Sequence, residues 1–362
     1  MHNEAIPRRP TRSIMLGSVG IGQEYPISIQ SMTNTATSDV RATLQQIQEL
    51  TAAGCEIVRV AVPDKQAAEA LRPILAGSAL PLVADIHFDY RLALLALEAG
   101  VHGLRLNPGN IGSRDKVEAV VRKAGERRVP IRIGVNSGSL EAKLLDKYGG
   151  PCAEAMTESA LGHVGLLEDL GFTQIKISLK SSYVPMMLAA YKKIAPLTPY
   201  PLHLGVTEAG LAESGSIKSA VGIGVLLAEG IGDTIRVSLT GPPAAEIKAA
   251  RQILRTLGLR KEGVEVIACP TCGRCRIDVC TLAGAVEEKT AGLAVPLTIA
   301  VMGCAVNGPG EAREADLGIA GGAGEGLLFV KGEILRKVPE RELLPALMAE
   351  IHKLVDNPAK NQ

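Results

Sequence analysis

The chain has 362 residues, and its 39 Lys and Arg against 38 Asp and Glu give a formal net charge of +1. That balance supplies no bulk basicity for nucleic acid or an anionic membrane surface. Aromatic residues make up 2 % with no Trp, which leaves few faces for stacking bases.

The length allows a large core and more than one domain. The segment from Met1 to Ser13 carries three arginines and no apolar stretch, so it does not read as a secretory signal. No apolar run reaches bilayer length, and no membrane span is expected. The expected compartment is the cytoplasm, where cysteines stay reduced and a dense cluster of them serves a metal or catalysis rather than disulfides. Five of the seven cysteines fall between 269 and 304; Cys55 and Cys152 stand alone and read as small buried hydrophobes.

Over the first 240 residues, short β-branched runs alternate with helical patterns. The strands are expected at Pro26–Gln30, Glu56–Val62, Pro81–Ile86, Gly103–Asn107, Ile131–Asn136, Gln174–Lys180, Pro201–Thr207 and Thr234–Leu239. The helices are expected at Thr43–Ala53, Lys65–Leu75, Arg91–Ala99, Arg114–Glu126, Ala153–Leu170, Val184–Ile194, Lys218–Ala228 and Ala244–Leu254. Eight β–α units predict a (β/α)8 TIM barrel rather than an open doubly wound sheet, and no G-x-G-x-x-G follows the first strand. A hinge is expected at Lys261-Glu262-Gly263, with domains at 1–258 and 259–362. The second is a smaller α+β unit: strand Val264–Ala268, helix Ile277–Thr290, strand Leu297–Val301, strands Leu317–Ala320 and Leu327–Val330 around a glycine-rich hairpin turn, and helix Glu340–Val355.

Four strands repeat one local pattern. Val58-Arg59-Val60, Leu104-Arg105-Leu106, Ile131-Arg132-Ile133 and Ile235-Arg236-Val237 each set an arginine between two apolar neighbours. Side chains alternate along a strand, so the apolar pair faces the helices and the arginine faces the lumen. Other polar residues occupy the strand ends: Asp85, His87, Asn107, Asn136, Lys180, Thr207, Glu208 and Ser238. The C-terminal mouth carries the chemistry in this fold. Guanidinium forks match phosphate oxygens and Lys180 adds a point charge, so the expected ligand is small and carries several negative charges, such as a diphosphate. Asp85 could pair with one arginine, and Glu208 could be an acid/base group or an orienting partner.

The second domain carries Cys269-Pro-Thr-Cys272-Gly-Arg-Cys275 and then Met302-Gly303-Cys304-Ala-Val-Asn307-Gly308-Pro309-Gly310-Glu311. A closed zinc ribbon needs a second C-x-x-C pair, and only Cys304 follows. Cys275 and Cys280 could complete a site only by crowding. Three thiolates on a cubane cluster leave one iron open to an oxygen ligand such as Glu311.

CPTCGR and MGCAVNGPGEA, together with Ile29-Gln30-Ser31-Met32-Thr33, the run His203–Gly210 and the run Gly230–Gly241, resemble the 4-hydroxy-3-methylbut-2-enyl diphosphate synthase family in its two-domain bacterial form. The resemblance covers nearly the whole chain. It implies a TIM barrel followed by an iron–sulfur domain like the sulfite/nitrite reductase modules. It implies reductive ring opening and dehydroxylation of 2-C-methyl-D-erythritol 2,4-cyclodiphosphate, in isoprenoid biosynthesis, with two electrons from flavodoxin or ferredoxin. The implied [4Fe-4S] ligands are Cys269, Cys272, Cys304 and Glu311. The implied diphosphate contacts are Arg59, Arg105, Arg132, Asn136, Lys180, Arg236 and Ser238, with Asn107, His87 and Glu208 near the carbon skeleton. A head-to-tail homodimer is implied as well. The competing expectation is a phosphate- or pterin-binding barrel transferase with a structural zinc module.

Overall fold

The computed structural model describes residues 6–304, 313 and 315–356. The chain divides into two compact units, Met1–Arg260 and Lys261–Gln362. The division falls slightly after the expected one, because Leu259 packs on the first unit's core and Arg260 pairs with Glu56 at 2.7 Å.

The first unit opens with an antiparallel hairpin, β1 (Ile14–Leu16) and β2 (Val19–Ile21), that the sequence reading did not anticipate. Eight strands follow: β3 (Ser28–Met32), β4 (Ile57–Ala61), β5 (Leu82–Asp85), β6 (Gly103–Leu106), β7 (Ile131–Asn136), β8 (Ile175–Lys180), β9 (His203–Leu204) and β10 (Thr234–Ile235). Each pairs in parallel with its successor from β3 to β8, and β10 pairs with both β9 and β3. A single parallel bridge, Ile177 to Leu202, joins β8 to β9 and completes the expected (β/α)8 ring. Ile14, Leu16 and Ile21 of the hairpin pack on Ile57 and Val83 and so plug the N-terminal end of the barrel.

Aspartates start several of the outer helices. Asp39, Asp64 and Asp89 accept hydrogen bonds from the backbone N–H groups of Ala42, Ala67 and Arg91, which caps three helix N-termini. Helix Ala212–Ala228 begins a turn and a half before the expected Lys218. Within it, a Cβ at Gly222 would lie 2.7 Å from Val206 and 2.9 Å from Met187. Gly222 is small because the helix lies close on its neighbours there. Two short helices, Pro108–Ile111 and Ala142–Tyr148, were also not anticipated.

The segment before the hairpin straps the lower end of the barrel. Arg8 pairs with Asp233 at 2.9 Å and donates to the Gly22 carbonyl, while Arg9 donates to the carbonyls of Ala195 and Tyr200. Asp233 is buried and also accepts from Thr11 Oγ1 and the Leu202 N–H. Asp233→Asn therefore leaves Arg8 without its charge partner, and urea unfolding should show a loss of about 3 kcal/mol, the usual cost of breaking a buried pair. A loss indistinguishable from zero would mean that the strap contributes nothing to stability.

The second unit holds a five-stranded mixed sheet: β11 (Val264–Ala268), β12 (Leu297–Met302), β13 (Leu317–Gly321), β14 (Glu325–Val330) and β15 (Glu333–Pro339). The first three are parallel and the last two antiparallel. Helices Val279–Thr290 and Leu343–Asp356 cover it through Val286, Leu343, Leu347 and Ile351. Gly322 to Gly324 form the expected hairpin turn. The edge strand β15 was missed because only Val338 is buried in it; its charged residues guard an exposed edge.

Candidate active site

The four arginines come from four strands and meet at one place. Arg59, Arg105, Arg132 and Arg236 line a cavity of about 120 Å³ at the C-terminal mouth of the barrel, together with Lys180, Asn136, Ser238 and Thr207. Five cationic side chains face a single lining carboxylate, Asp85. The apolar core behind the strands forces this arrangement. Val58, Val60, Leu104, Leu106, Ile131 and Ile133 turn outward into the core, and the residues between them have only the lumen to occupy.

Two glycines make room for the charges. A Cβ at Gly134 would stand 2.6 Å from Arg105 Nε. One at Gly205, just past β9, would stand 2.6 Å from the Arg236 carbonyl oxygen, which is backbone and cannot yield, and 2.9 Å from Lys180 Nζ. Beyond Leu204 and Ile235 the backbone leaves the sheet ladder, which is why β9 and β10 are shorter than expected.

Asp85 organises one side of the mouth. Its carboxylate lies 3.2 Å from Arg105 Nη1, 3.9 Å from Arg59 Nε and 3.3 Å from His87 Nε2. Burial alone would raise its pKa, but Arg59, the His87 hydrogen bond and Arg105 together outweigh that and hold it far below the usual carboxylate range. Met32 Sδ accepts from Arg59 at 2.9 Å and lies 3.7 Å from Arg236. Glu246, on helix Pro243–Thr256, accepts from Ser31 Oγ at 2.8 Å and the Leu239 N–H, and lies 3.5 Å from Arg236 Nε. It therefore anchors the segment that carries Arg236 and Ser238. No strand pattern could have marked it, since it belongs to a helix.

The remaining cations lack compensation. Arg132 is 3 % exposed, and neither Nε nor Nη1 has a hydrogen-bond partner among the described residues. Burial, then Arg59 and Arg105, pushes its pKa well below the ordinary value. Burial, then Arg236 and Arg132, does the same to Lys180. Arg59 is pushed down to about 9, by burial first. A cluster of like charges held in a dry cleft is at its most favourable when an anion enters.

Lys180 should therefore take up a proton when an anion binds, because the anion raises a pKa that the empty cleft depresses. Sulfate does not titrate in the alkaline range and isolates the effect. Calorimetry of sulfate binding in two buffers of different ionisation enthalpy should show proton uptake that is smaller in Lys180→Met. Equal uptake in the variant would assign the proton elsewhere.

Two expected site residues lie outside the cavity lining, and a third stands at its rim. Asn107 is buried, but its Oδ1 accepts from the Gly109 N–H and caps helix Pro108–Ile111; it does not line the cavity. Glu208 is exposed, also outside the lining, on a left-handed backbone with φ of 52°. A glutamate at that φ is strained, a cost that functional loops often carry. His87 lines the rim with its side chain half exposed and its Nε2 3.1 Å from Arg105 Nη1.

In the second unit, Cys269 and Cys304 follow the neighbouring parallel strands β11 and β12, whose final register pair is Ala268 with Val301. The Gly303 N–H donates to Cys269 Sγ at 3.1 Å, and a Cβ on Gly303 would overlap Cys275 Sγ, so sulfur from two cysteines crowds this glycine. Cys272 is exposed on the turn between them. Among the described residues no three ligating side chains converge as a metal centre, and there is no disulfide. Residues 305–312, which include Glu311, lie outside the described residues. Cys55 is buried as expected, with its thiol pushed up to about 11 by burial, while half-buried Cys152 caps helix Ala153–Asp169.

The fold and site define a (β/α)8 barrel with a cation-lined mouth, joined in one chain to a cysteine-bearing α+β unit. The chain belongs to the GcpE family: the GcpE TIM-barrel domain matches residues 11–251, and the GcpE protein C-terminal domain matches residues 265–353. A curated relative from Geobacter sulfurreducens is 62 % identical over 95 % of this chain and 98 % of its own, and one from Clostridium perfringens is 58 % identical over 96 % and 99 %. Both are named 4-hydroxy-3-methylbut-2-en-1-yl diphosphate synthase (flavodoxin). Among solved structures, 3-dehydroquinate dehydratase from Geobacillus kaustophilus aligns with 69 % of this chain and 97 % of its own at 14 % identity and a TM-score of 0.50; this likeness concerns the barrel fold alone.

Proposed function

We propose that the chain is an oxidoreductase of isoprenoid biosynthesis that converts 2-C-methyl-D-erythritol 2,4-cyclodiphosphate to 4-hydroxy-3-methylbut-2-enyl diphosphate. The observation that carries this reading is the mouth itself, with five cations against one lining carboxylate, in a chain whose near-full-length relatives are named for this diphosphate product. Two electrons and two protons enter, the ring C–O bond breaks, and one hydroxyl leaves as water. Arg59, Arg105, Arg132, Arg236 and Lys180 hold the diphosphate, with Asn136 and Ser238 at its edge. They also stabilise the charge that stays on it as the C–O bond breaks. Asp85 keeps Arg59 and Arg105 aimed at the ligand. His87, at the rim beside Asp85, and Glu208, on its strained loop, are the groups assigned to proton delivery, and Asn107 shapes the loop beside the carbon skeleton.

The cysteine unit fits an iron–sulfur group in the type of its donors: soft thiolates just past the ends of two paired strands and on the turn that follows the first of them. Cys269, Cys272 and Cys304 would hold a [4Fe-4S] cluster, with Glu311 as the fourth ligand. Such a cluster delivers electrons one at a time and keeps one exchangeable coordination position where its ligand is oxygen. The electron donor is flavodoxin, the protein named with the relatives, or a ferredoxin. Thiolate ligation suits the reducing cytoplasm; no helix among the described residues is long and apolar enough to cross a membrane. The working form is a head-to-tail homodimer, a reading supported by exposed Leu211, Ile217 and Val221 beside an apolar groove between helices Ala212–Ala228 and Pro243–Thr256. A pterin- or phosphate-binding transferase with structural zinc finds no support among the curated relatives.

A turnover experiment tests the reaction. Protein purified anaerobically and mixed with the cyclic diphosphate and an excess of a one-electron reductant should yield the allylic diphosphate with two electrons consumed per molecule of product. Unchanged substrate in the presence of reduced, iron-replete protein rejects the reading.

A further inference from the structure

Beneath the mouth the barrel holds a second polar chamber that the proposed reaction does not use. Lys176 lies on β8 between Ile175 and Ile177, in register with Arg132 on β7, and points into the lumen like the arginines above it. It is 3 % exposed, and its Nζ has no hydrogen-bond partner among the described residues. Both amide atoms of buried Gln30, on β3, are unpartnered too, as are Arg132 Nε and Nη1. These three side chains border one small cavity walled by the apolar groups of Leu16, Val83 and Leu104. Leu16 belongs to the hairpin that plugs the barrel. Arg132 thus stands between two chambers, the mouth above and this one below.

The chamber has a charge problem. Two basic groups face it and no carboxylate lines it. Asp233, the acid whose field reaches Lys176, already accepts from Arg8, Thr11 and the Leu202 N–H. Asp85 is held by Arg59, Arg105 and His87 at the mouth. Burial without a counter-ion drives Lys176 well below its ordinary pKa. An ammonium in such a place either gives up its proton or gains an anion. The space for the centre of a water-sized sphere is about 10 Å³, room for about one such sphere. A phosphate does not fit; the space is of single-atom size, and a halide enters as the flexible ends of Lys176 and Gln30 give way slightly.

We propose that this chamber is an internal halide site, in which a chloride-sized anion is held by Lys176 Nζ, the Arg132 guanidinium and the Gln30 side-chain NH2. The ion neutralises the floor of the barrel and fixes Arg132 from below, leaving its outer edge for the mouth. The inference stands apart from the reaction proposed above, since a barrel of any activity with these residues would carry it.

Bromide reports the site by anomalous diffraction. Crystals of the full-length protein grown in sodium bromide, with saturating pyrophosphate to occupy the mouth, should show an anomalous peak between Lys176, Arg132 and Gln30. In solution, at constant ionic strength and saturating pyrophosphate, replacing gluconate by bromide should raise Tm by about 2–4 °C, saturably, in the wild type and not in Lys176→Met. Bromide confined to the mouth or the surface, or a bromide increment unchanged in Lys176→Met, overturns the proposal. Should Lys176→Met fail to fold, the wild-type anomalous map decides alone.

Discussion

Arg132→Met lowers turnover of the cyclic diphosphate by about 10²- to 10⁴-fold, the effect of removing one partner from a desolvated charge pair. The same change stabilises the ligand-free protein in halide-free buffer. Arg132 is 3 % exposed, and Arg59 and Arg105 both act to disfavour its charge, so methionine keeps most of the packing stem and relieves the repulsion. Replacing a poorly compensated buried charge by an apolar group of similar volume is worth about 1–4 kcal/mol. Affinity and stability should therefore move in opposite directions, as at sites that trade stability for function. Calorimetry with pyrophosphate and urea unfolding of the same samples measure both. A variant that binds pyrophosphate like the wild type would place the anion elsewhere.

Mixing Cys304→Ala chains with Arg132→Met chains restores activity, although each alone is inactive. The link between the units is short, Lys261 to Gly263 before β11 begins, which motivates an arrangement in which one subunit's cysteine unit serves the other's barrel. In a random mixture half of the dimers are mixed, and in a head-to-tail pair each mixed dimer has one intact barrel served by one intact cysteine unit. Activity should then recover to about a quarter of the wild type. If each cysteine unit serves its own barrel, every site in the mixture carries one defect. Recovery at the level of the separate variants would reject the head-to-tail arrangement.

Much of the mouth could be read in the sequence because a barrel strand has two faces and two compositions. An arginine between two aliphatic residues can point only inward, and the structure brings all four such arginines to one cavity. Lys176 obeys the same rule, between Ile175 and Ile177, and the pattern would have found it had the search included lysine. What escaped depends on contacts that no single segment encodes. Gly134 and Gly205 matter for the side chains of other strands, and Glu246 reaches Arg236 and Ser31 from a helix. Asn107 drew attention as a polar strand end, yet local geometry turns it into a helix cap. The plug hairpin escaped because its two strands are three residues each, too short for an alternation to register. The second unit's elements were visible through their aliphatic runs, and its edge strand was not, since an edge that must stay soluble hides its period under charge.

The reaction needs electrons that a barrel of arginines cannot supply, so its central claim rests on the cysteine unit. Iron and acid-labile sulfide should be measured on protein purified without oxygen, alongside turnover of the cyclic diphosphate in the same sample. The account predicts iron and sulfide in equal amounts and turnover that rises in proportion to them. Bound zinc, or turnover in protein free of iron, would contradict it.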